Sequence, residues 1–198
     1  MNPVALSQAT GKAVSYDRGV EKVAWRALRG ASALLVVGLL ALLGWRLTHQ
    51  PVRPRYGQPA PSFTLPLLSG SGSLRLSSLR GRPVVINFWS STCVPCKAEA
   101  ASLEHLYATD RHTGLVVVGI DPEDFKSDAR RFIAQHHVTY PNARDTGENV
   151  ATRYGIDGTP ETFLVDRQGR VRQILIGPIN DAPNRQALAT ALRQIMRV

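Results

Sequence analysis

Apolar residues recur along the chain in three rhythms. The first is a single uncharged run over residues 30–45, whose centre, 33–43, holds only Ala, Leu, Val and Gly. Sixteen helical residues rise about 24 Å, a little short of a bilayer hydrocarbon core of about 30 Å. Trp25 and Trp45 bracket the run, and Arg26, Arg29 and Arg46 can extend their charged heads toward an interface. No small residues stand at a signal-peptidase spacing after it, so the run is expected to be an uncleaved anchor over 30–47 and not a removed leader. Residues 1–29 are polar and basic. Residues 48–61 carry four prolines and are expected to be an extended linker.

The second rhythm is short and strand-like. Residues 84–89 and 115–120 are almost wholly apolar runs of the kind buried on both faces of a sheet. Residues 62–68 and 73–76 read as a hairpin around Ser69-Gly70-Ser71-Gly72, and 162–166 and 171–176 as strands joined by Arg167-Gln168-Gly169-Arg170. The third rhythm is helical. Cys96, Ala100, Leu103 and Tyr107 place a helix over 95–112; Phe125, Ala129, Phe132, Ile133 and His136 mark a second; residues 148–154 form a short one; and Leu188, Ala191, Leu192 and Ile195 mark a last one. Strands alternating with helices and closing on a hairpin and a helix predict one α/β domain over 62–198. Its mixed central sheet should be flanked by helices on both faces, with the first hairpin as an N-terminal extension.

Charge alters this picture little. The 198 residues carry a formal net charge of +9. Residues 1–56 hold eight Lys/Arg and two Asp/Glu, a net +6, which leaves +3 for the remaining 142 residues. The excess therefore sits beside the apolar run, where it bears on topology and not on phosphate binding. No later stretch combines clustered basic residues with aromatics, so no nucleic-acid partner is expected. Five basic residues precede the run and three follow it closely, which places the N-terminus in the cytoplasm and the domain outside.

Only two cysteines are present, Cys93 and Cys96. A disulfide scaffold uses more, and a structural zinc site needs about four ligands. A C-x-P-C sequence directly after an apolar strand and at a helix start points instead to a redox dithiol. Pro95 suits a first helical turn, where its missing N–H loses nothing. Cys93 then lies just before the helix, where unpaired N–H groups and the helix dipole favour a thiolate. Cys96 lies one turn inward. Cys93 is thus the attacking thiol and Cys96 the resolving one. Glu99, three residues on, shares that side of the helix and can exchange protons with the thiols. Thr159-Pro160, just ahead of a strand, is a candidate cis peptide aimed at the same site. The client is expected to meet Trp89, Thr92, Val94, Pro95, Thr159 and Glu161. No metal and no cofactor beyond the Cys93–Cys96 disulfide is expected.

These stretches resemble a known group. From Tyr56 onward, about 140 residues are similar to the TlpA/ResA/CcmG group of thioredoxin-like proteins. Trp89…Cys93-x-Pro95-Cys96-Lys97-x-Glu99 matches its active-site helix. Gly155-x-x-Gly158-x-Pro160-Glu161-Thr162-Phe163 is similar to the signature of its cytochrome c maturation branch, CcmG (also DsbE). The resemblance implies a thioredoxin-like fold and a periplasm-facing reductant on the bacterial inner membrane. Such a reductant takes electrons from a membrane oxidoreductase and passes them to thiol-containing clients such as apocytochrome c. It implies Cys93 as nucleophile, Cys96 as resolving thiol, Pro160 as the cis-proline and Glu99 as the active-site acid. Three positions depart from the group. Thr92 replaces a usual Trp, Ala101 a helix-kinking Pro, and Asn87 the buried Asp of thioredoxin itself. Two other readings remain open: the same chemistry on a cytochrome oxidase copper-site protein, and a Cu(I) metallochaperone holding the soft ion between thiolates.

Overall fold

The computed structural model describes residues 18–48 and 53–197. The chain divides into two compact units, Met1–Gln50 and Pro51–Val198. Most of the expected basic N-terminal segment (residues 1–17) and residues 49–52 of the expected linker lie outside the described residues.

Among the described residues, the first unit is one helix, α1 (Arg18–Thr48). It contains no proline, and it begins well before the apolar run that predicted it. Its segment Arg29–Arg46 has a mean hydropathy of 1.4 and is long and apolar enough to cross a membrane. Leu34, Leu35, Leu39, Leu40, Leu42 and Leu43 are all exposed on it.

The second unit is a five-stranded sheet with helices on both faces. Its elements are β1 (Thr64–Pro66), β2 (Ser73–Arg75), β3 (Val84–Phe88), α2 (Val94–Asp110), β4 (Val116–Asp121), α3 (Lys126–Gln135), β5 (Asn142–Arg144), α4 (Asn149–Tyr154), β6 (Glu161–Val165), β7 (Val171–Ile176) and α5 (Ala182–Arg197). The strand order is β5-β4-β3-β6-β7. β3 runs parallel to β4 and β4 to β5, while β6 is antiparallel to both β3 and β7. β1 and β2 form the expected hairpin. β5 has only three residues and was not anticipated; its pairing with β4, more than its composition, makes it a strand.

Alternation along β3 and β6 divides the core. Ile86, Phe88, Phe163 and Val165 face a cluster closed by the hairpin (Phe63, Leu74) and α4 (Val150, Tyr154). Val85, Trp89 and Leu164 face the other cluster, closed by α2 (Ala100, Leu103), α3 (Ala129, Phe132) and α5 (Ala191, Ile195). Each fully buried aliphatic or aromatic side chain of this kind contributes about 1.5–3 kcal/mol.

Two expectations need correction. Residues 53–61 are no free linker. Gly57 N–H donates to Val171 O (2.7 Å), Val171 N–H donates to Gln58 O (2.9 Å), and Ala60 N–H donates to Gly169 O (2.9 Å). The prolines keep this segment extended, and extended backbone is what the rim of β7 can pair with. Phe125 does not belong to the buried face of α3. It precedes the helix in extended conformation and is 77% exposed.

One contact in the second core limits a single position tightly. Trp89 Nε1 donates to Asn142 Oδ1 at 2.8 Å across β4, where Gly119 lies between them. A Cβ at Gly119 would overlap the Asn142 amide oxygen and lie 2.6 Å from Trp89 Nε1. Gly119→Ala is therefore expected to break that hydrogen bond and strain the strand, at a cost of about 2–4 kcal/mol. Urea titration followed by tryptophan fluorescence reads this directly, and an unshifted midpoint contradicts it.

Candidate active site

β3 runs straight into the redox loop. After Phe88 come Trp89 and Ser90, both buried, and the chain then turns so that Cys93 caps α2. Cys93 has extended φ and ψ of −72° and 111°, and its Sγ accepts the Cys96 N–H at 3.0 Å. Pro95 stands in the first turn of α2. Cys93 and Cys96 are joined in a disulfide. Cys93 is partly exposed and Cys96 only 1% exposed, so an incoming sulfur can reach Cys93 alone. Helix α2 continues through Ala101 to Asp110 as one α-helix. Thr92, Val94 and Pro95 are exposed around the dithiol. A groove of about 570 Å³ opens beside Thr92 and Lys97 and is walled by Phe125 and Phe132.

Glu99 is 1% exposed, one helical turn beyond Cys96. Its Oε1 accepts from Asn87 Nδ2 on β3 (2.8 Å), and its Oε2 accepts the Ile179 N–H from the loop before α5 (2.8 Å). Asn87 Nδ2 also donates to Thr162 Oγ1 on β6 (3.0 Å). Burial raises the Glu99 carboxyl to about 7, against these two hydrogen bonds, which favour the charged form, and with a smaller push from Asp181. A carboxyl that titrates near neutrality beside a dithiol can take up and return the protons that accompany thiol–disulfide cycling.

A second carboxylate holds the loop from the other side. Asp124 Oδ2 accepts the Ser91 N–H (2.6 Å) and its Oδ1 accepts the Ser91 hydroxyl (2.9 Å). Asp121 in turn accepts the N–H groups of Glu123 (3.1 Å) and Asp124 (3.0 Å), and burial raises its carboxyl to about 6. The Thr159-Pro160 bond is cis. Thr159 Oγ1 lies 3.4 Å from Ser90 Oγ, so this loop touches the redox loop.

Two residues expected to meet the client do not face it. Trp89 is 2% exposed and stacks on Phe132 with ring centroids 4.4 Å apart, because the alternation of β3 turns it into the second core. Glu161 lies one position out of phase with Thr162, on the side of Phe163 and away from the dithiol, where it pairs with Arg53. Thr92, Val94, Pro95 and Thr159 do border the site. Ser91, Asp124 and Arg53 also support the site. Their partners are 33 to 108 residues distant, and no local spacing marks them.

The profile of the AhpC/TSA family matches residues 56–174, which contain the whole redox loop, Glu99 and Pro160. The chain belongs to the AhpC/TSA family. Within that thioredoxin-like family it is similar to the thiol:disulfide interchange protein DsbE of Pseudomonas fluorescens biotype C, 32% identical over 141 residues that cover 71% of this chain and 77% of that one. It is 31% identical over 121 residues to the thiol-disulfide oxidoreductase ResA of Bacillus anthracis, covering 61% and 69%. The crystal structure of a Chlorobium tepidum protein described as thiol:disulfide interchange protein DsbE superposes with a TM-score of 0.67 at 29% identity, over 72% of this chain and 99% of that one. The AhpC/TSA chain described here is a thiol–disulfide oxidoreductase of the DsbE/ResA type.

Limiting iodoacetamide on the reduced protein is expected to label Cys93 at least tenfold more than Cys96, since only the exposed sulfur offers an approach. Dominant label at Cys96 would reverse the order of the two thiols. The folded chain holds a proton on Glu99 more tightly than the unfolded chain does. Stability is therefore fullest below the ordinary carboxyl value of 4.5 and falls as pH rises through about 7, by on the order of 3 kcal/mol. Asp121 adds a fall of the same sign between 3.8 and about 6. In oxidised Glu99→Gln the decline between pH 6 and 7 should be much shallower than in the parent. Equal slopes in the two proteins would place Glu99 in contact with water.

Proposed function

We propose that this oxidoreductase is a membrane-anchored reductant whose domain faces the periplasm, serving cytochrome c maturation. The observation that carries the reductant reading is the burial of Glu99 one turn beyond Cys96. A carboxylate there opposes a thiolate and so disfavours the reduced dithiol. A dithiol whose reduced form is not favoured gives up its electrons readily, which is the reverse of the strong oxidant DsbA. The anchor reading rests on the apolar segment Arg29–Arg46 of α1 and on the basic excess ahead of it. A reductant in an oxidising compartment needs recharging by a membrane electron carrier, and a membrane anchor keeps the two within reach. The client reading rests on the resemblance of residues 155–163 to the cytochrome c maturation branch.

In the proposed cycle the Cys93 thiolate attacks a client disulfide and releases one client thiolate. Cys96 then attacks the mixed disulfide and releases the second. Two electrons pass to the client, the Cys93–Cys96 disulfide forms, and Glu99 takes up the proton that leaves Cys96. Glu99, Pro160 and the bordering Thr92, Val94, Pro95 and Thr159 act here as proton carrier and client rim.

Equilibration with glutathione is expected to give a potential nearer the thioredoxin value of about −270 mV than the DsbA value of about −120 mV. A potential near −120 mV rejects the reductant. In the source cells Cys93→Ser should abolish c-type haemoproteins, spare b-type ones, and be relieved by an added small thiol. Normal c-type haemoproteins in that strain would move the client elsewhere.

A further inference from the structure

The loop 155–160, which ends in the cis-proline, is braced from a distant part of the chain. Arg53 precedes the hairpin, at the N-terminal end of the described domain. Its Nε and Nη2 both donate to Gly155 O, at 3.0 and 2.6 Å. The same Nη2 donates to Glu161 Oε1 at 2.9 Å and reaches Asp157 Oδ2 at 3.4 Å. One guanidinium thus holds the residue that opens the loop, one inside it and the one that follows Pro160. The backbone is fitted as closely as the side chain. Gly155 has a φ of +64°, and a Cβ on it would lie 2.8 Å from Arg53 Cβ and 3.0 Å from Arg53 Cα. Glu161 is 2% exposed, and its Oε2 has no hydrogen-bond partner among the described residues. Its other oxygen is shared between Arg53 and the Asp157 N–H, at 3.2 Å. A buried carboxylate of this kind is held in place by its counter-charge.

We propose that Arg53 is a positioning residue of the redox site: by clamping Gly155 and Glu161 it fixes the loop that presents Thr159 and Pro160 beside Cys93. The link to the dithiol is short. Thr159 Oγ1 touches Ser90 Oγ, and Ser90 O accepts the Cys93 N–H at 3.3 Å. A protein client lying across this loop depends on its placement. A small disulfide meeting only the exposed sulfur of Cys93 does not. Arg53 therefore governs the reaction with extended substrates and leaves the intrinsic reactivity of the dithiol alone. Lysine cannot replace it fully, because a single ammonium lacks the planar fork that serves a carbonyl and a carboxylate together.

The test uses the full chain in detergent, fully reduced, in single turnover. One oxidant is a small aromatic disulfide, and the other is a disulfide-bonded peptide of about ten residues. In both reactions Cys93 attacks, Cys96 closes the protein disulfide, and the oxidant leaves as two thiols. Arg53→Gln should slow the peptide reaction about tenfold, the scale on which small misplacements act, and change the small-disulfide rate less than about twofold. Arg53→Lys should fall between parent and Arg53→Gln on the peptide and match the parent on the small disulfide. If Arg53→Gln does not fold, Arg53→Lys is read by the same ratio. Equal slowing of both oxidants, or an unchanged peptide rate in a folded variant, overturns the proposal. Loss of the small-disulfide reaction in the parent would instead strike at the dithiol chemistry itself.

Discussion

Burying a carboxyl without donors costs several kcal/mol, so Glu99 has to be met by hydrogen bonds wherever the fold places it. It is met from two sides at once, by the Asn87 amide on the central strand and by the Ile179 N–H before the last helix. Those two bonds join β3, α2 and the β7–α5 connection at one point, and the same Asn87 amide reaches β6 through Thr162. The register of the redox helix against the sheet is tied to this group. A shift of α2 along its axis would strand the carboxyl among apolar neighbours. The structural requirement and the chemical one therefore fall on the same side chain. The enclosure that makes Glu99 expensive to bury also brings its titration to the pH at which thiols exchange.

The redox loop lies between two acids of different kinds. Glu99 stands behind Cys96, out of water, and can change its charge. Asp124 stands in front, at the mouth of the groove, and spends both oxygens on Ser91. One sets a proton balance and the other sets a backbone path. Asp121 lies beneath Asp124 and repels it while orienting its N–H, so the front support carries some internal tension of charge. Thr92 adds a hydroxyl 3.5 Å from Ser90 Oγ.

Much of this was legible in the sequence, because the features concerned are local. The dithiol, the proline in the first turn and the strand before them lie within about a dozen residues. The buried strands β3 and β4 are apolar except for Asn87 and Asp121, because both faces are covered. What was illegible depends on contacts between distant parts of the chain. Three residues of β5 become a strand only by pairing with β4. Trp89 has the look of a recognition aromatic, yet one step of strand alternation sends it inward. Glu161 follows Pro160 directly, yet the same alternation turns it to the opposite face, where an arginine 108 residues away neutralises it. The prolines of 53–61 signal extended backbone correctly, but the sequence does not say whether extended backbone is free or docked.

That docked segment and the hairpin after it occupy opposite rims of the sheet. Gly57 and Gln58 pair with Val171 on the β7 side, while Leu68 N–H donates to Asn142 O (2.8 Å) and Leu67 bridges Ala143 on the β5 side. Exposed rims are where sheets recruit one another into aggregates. On the anchored reading proposed above, copies held at one surface are crowded together, and self-association between sheet rims becomes a hazard there. The residues ahead of β3 thus cover the first residue of β7 and pair with β5 on the opposite flank. A fragment begun at the hairpin would keep its dithiol and lose the pairing that covers the start of β7.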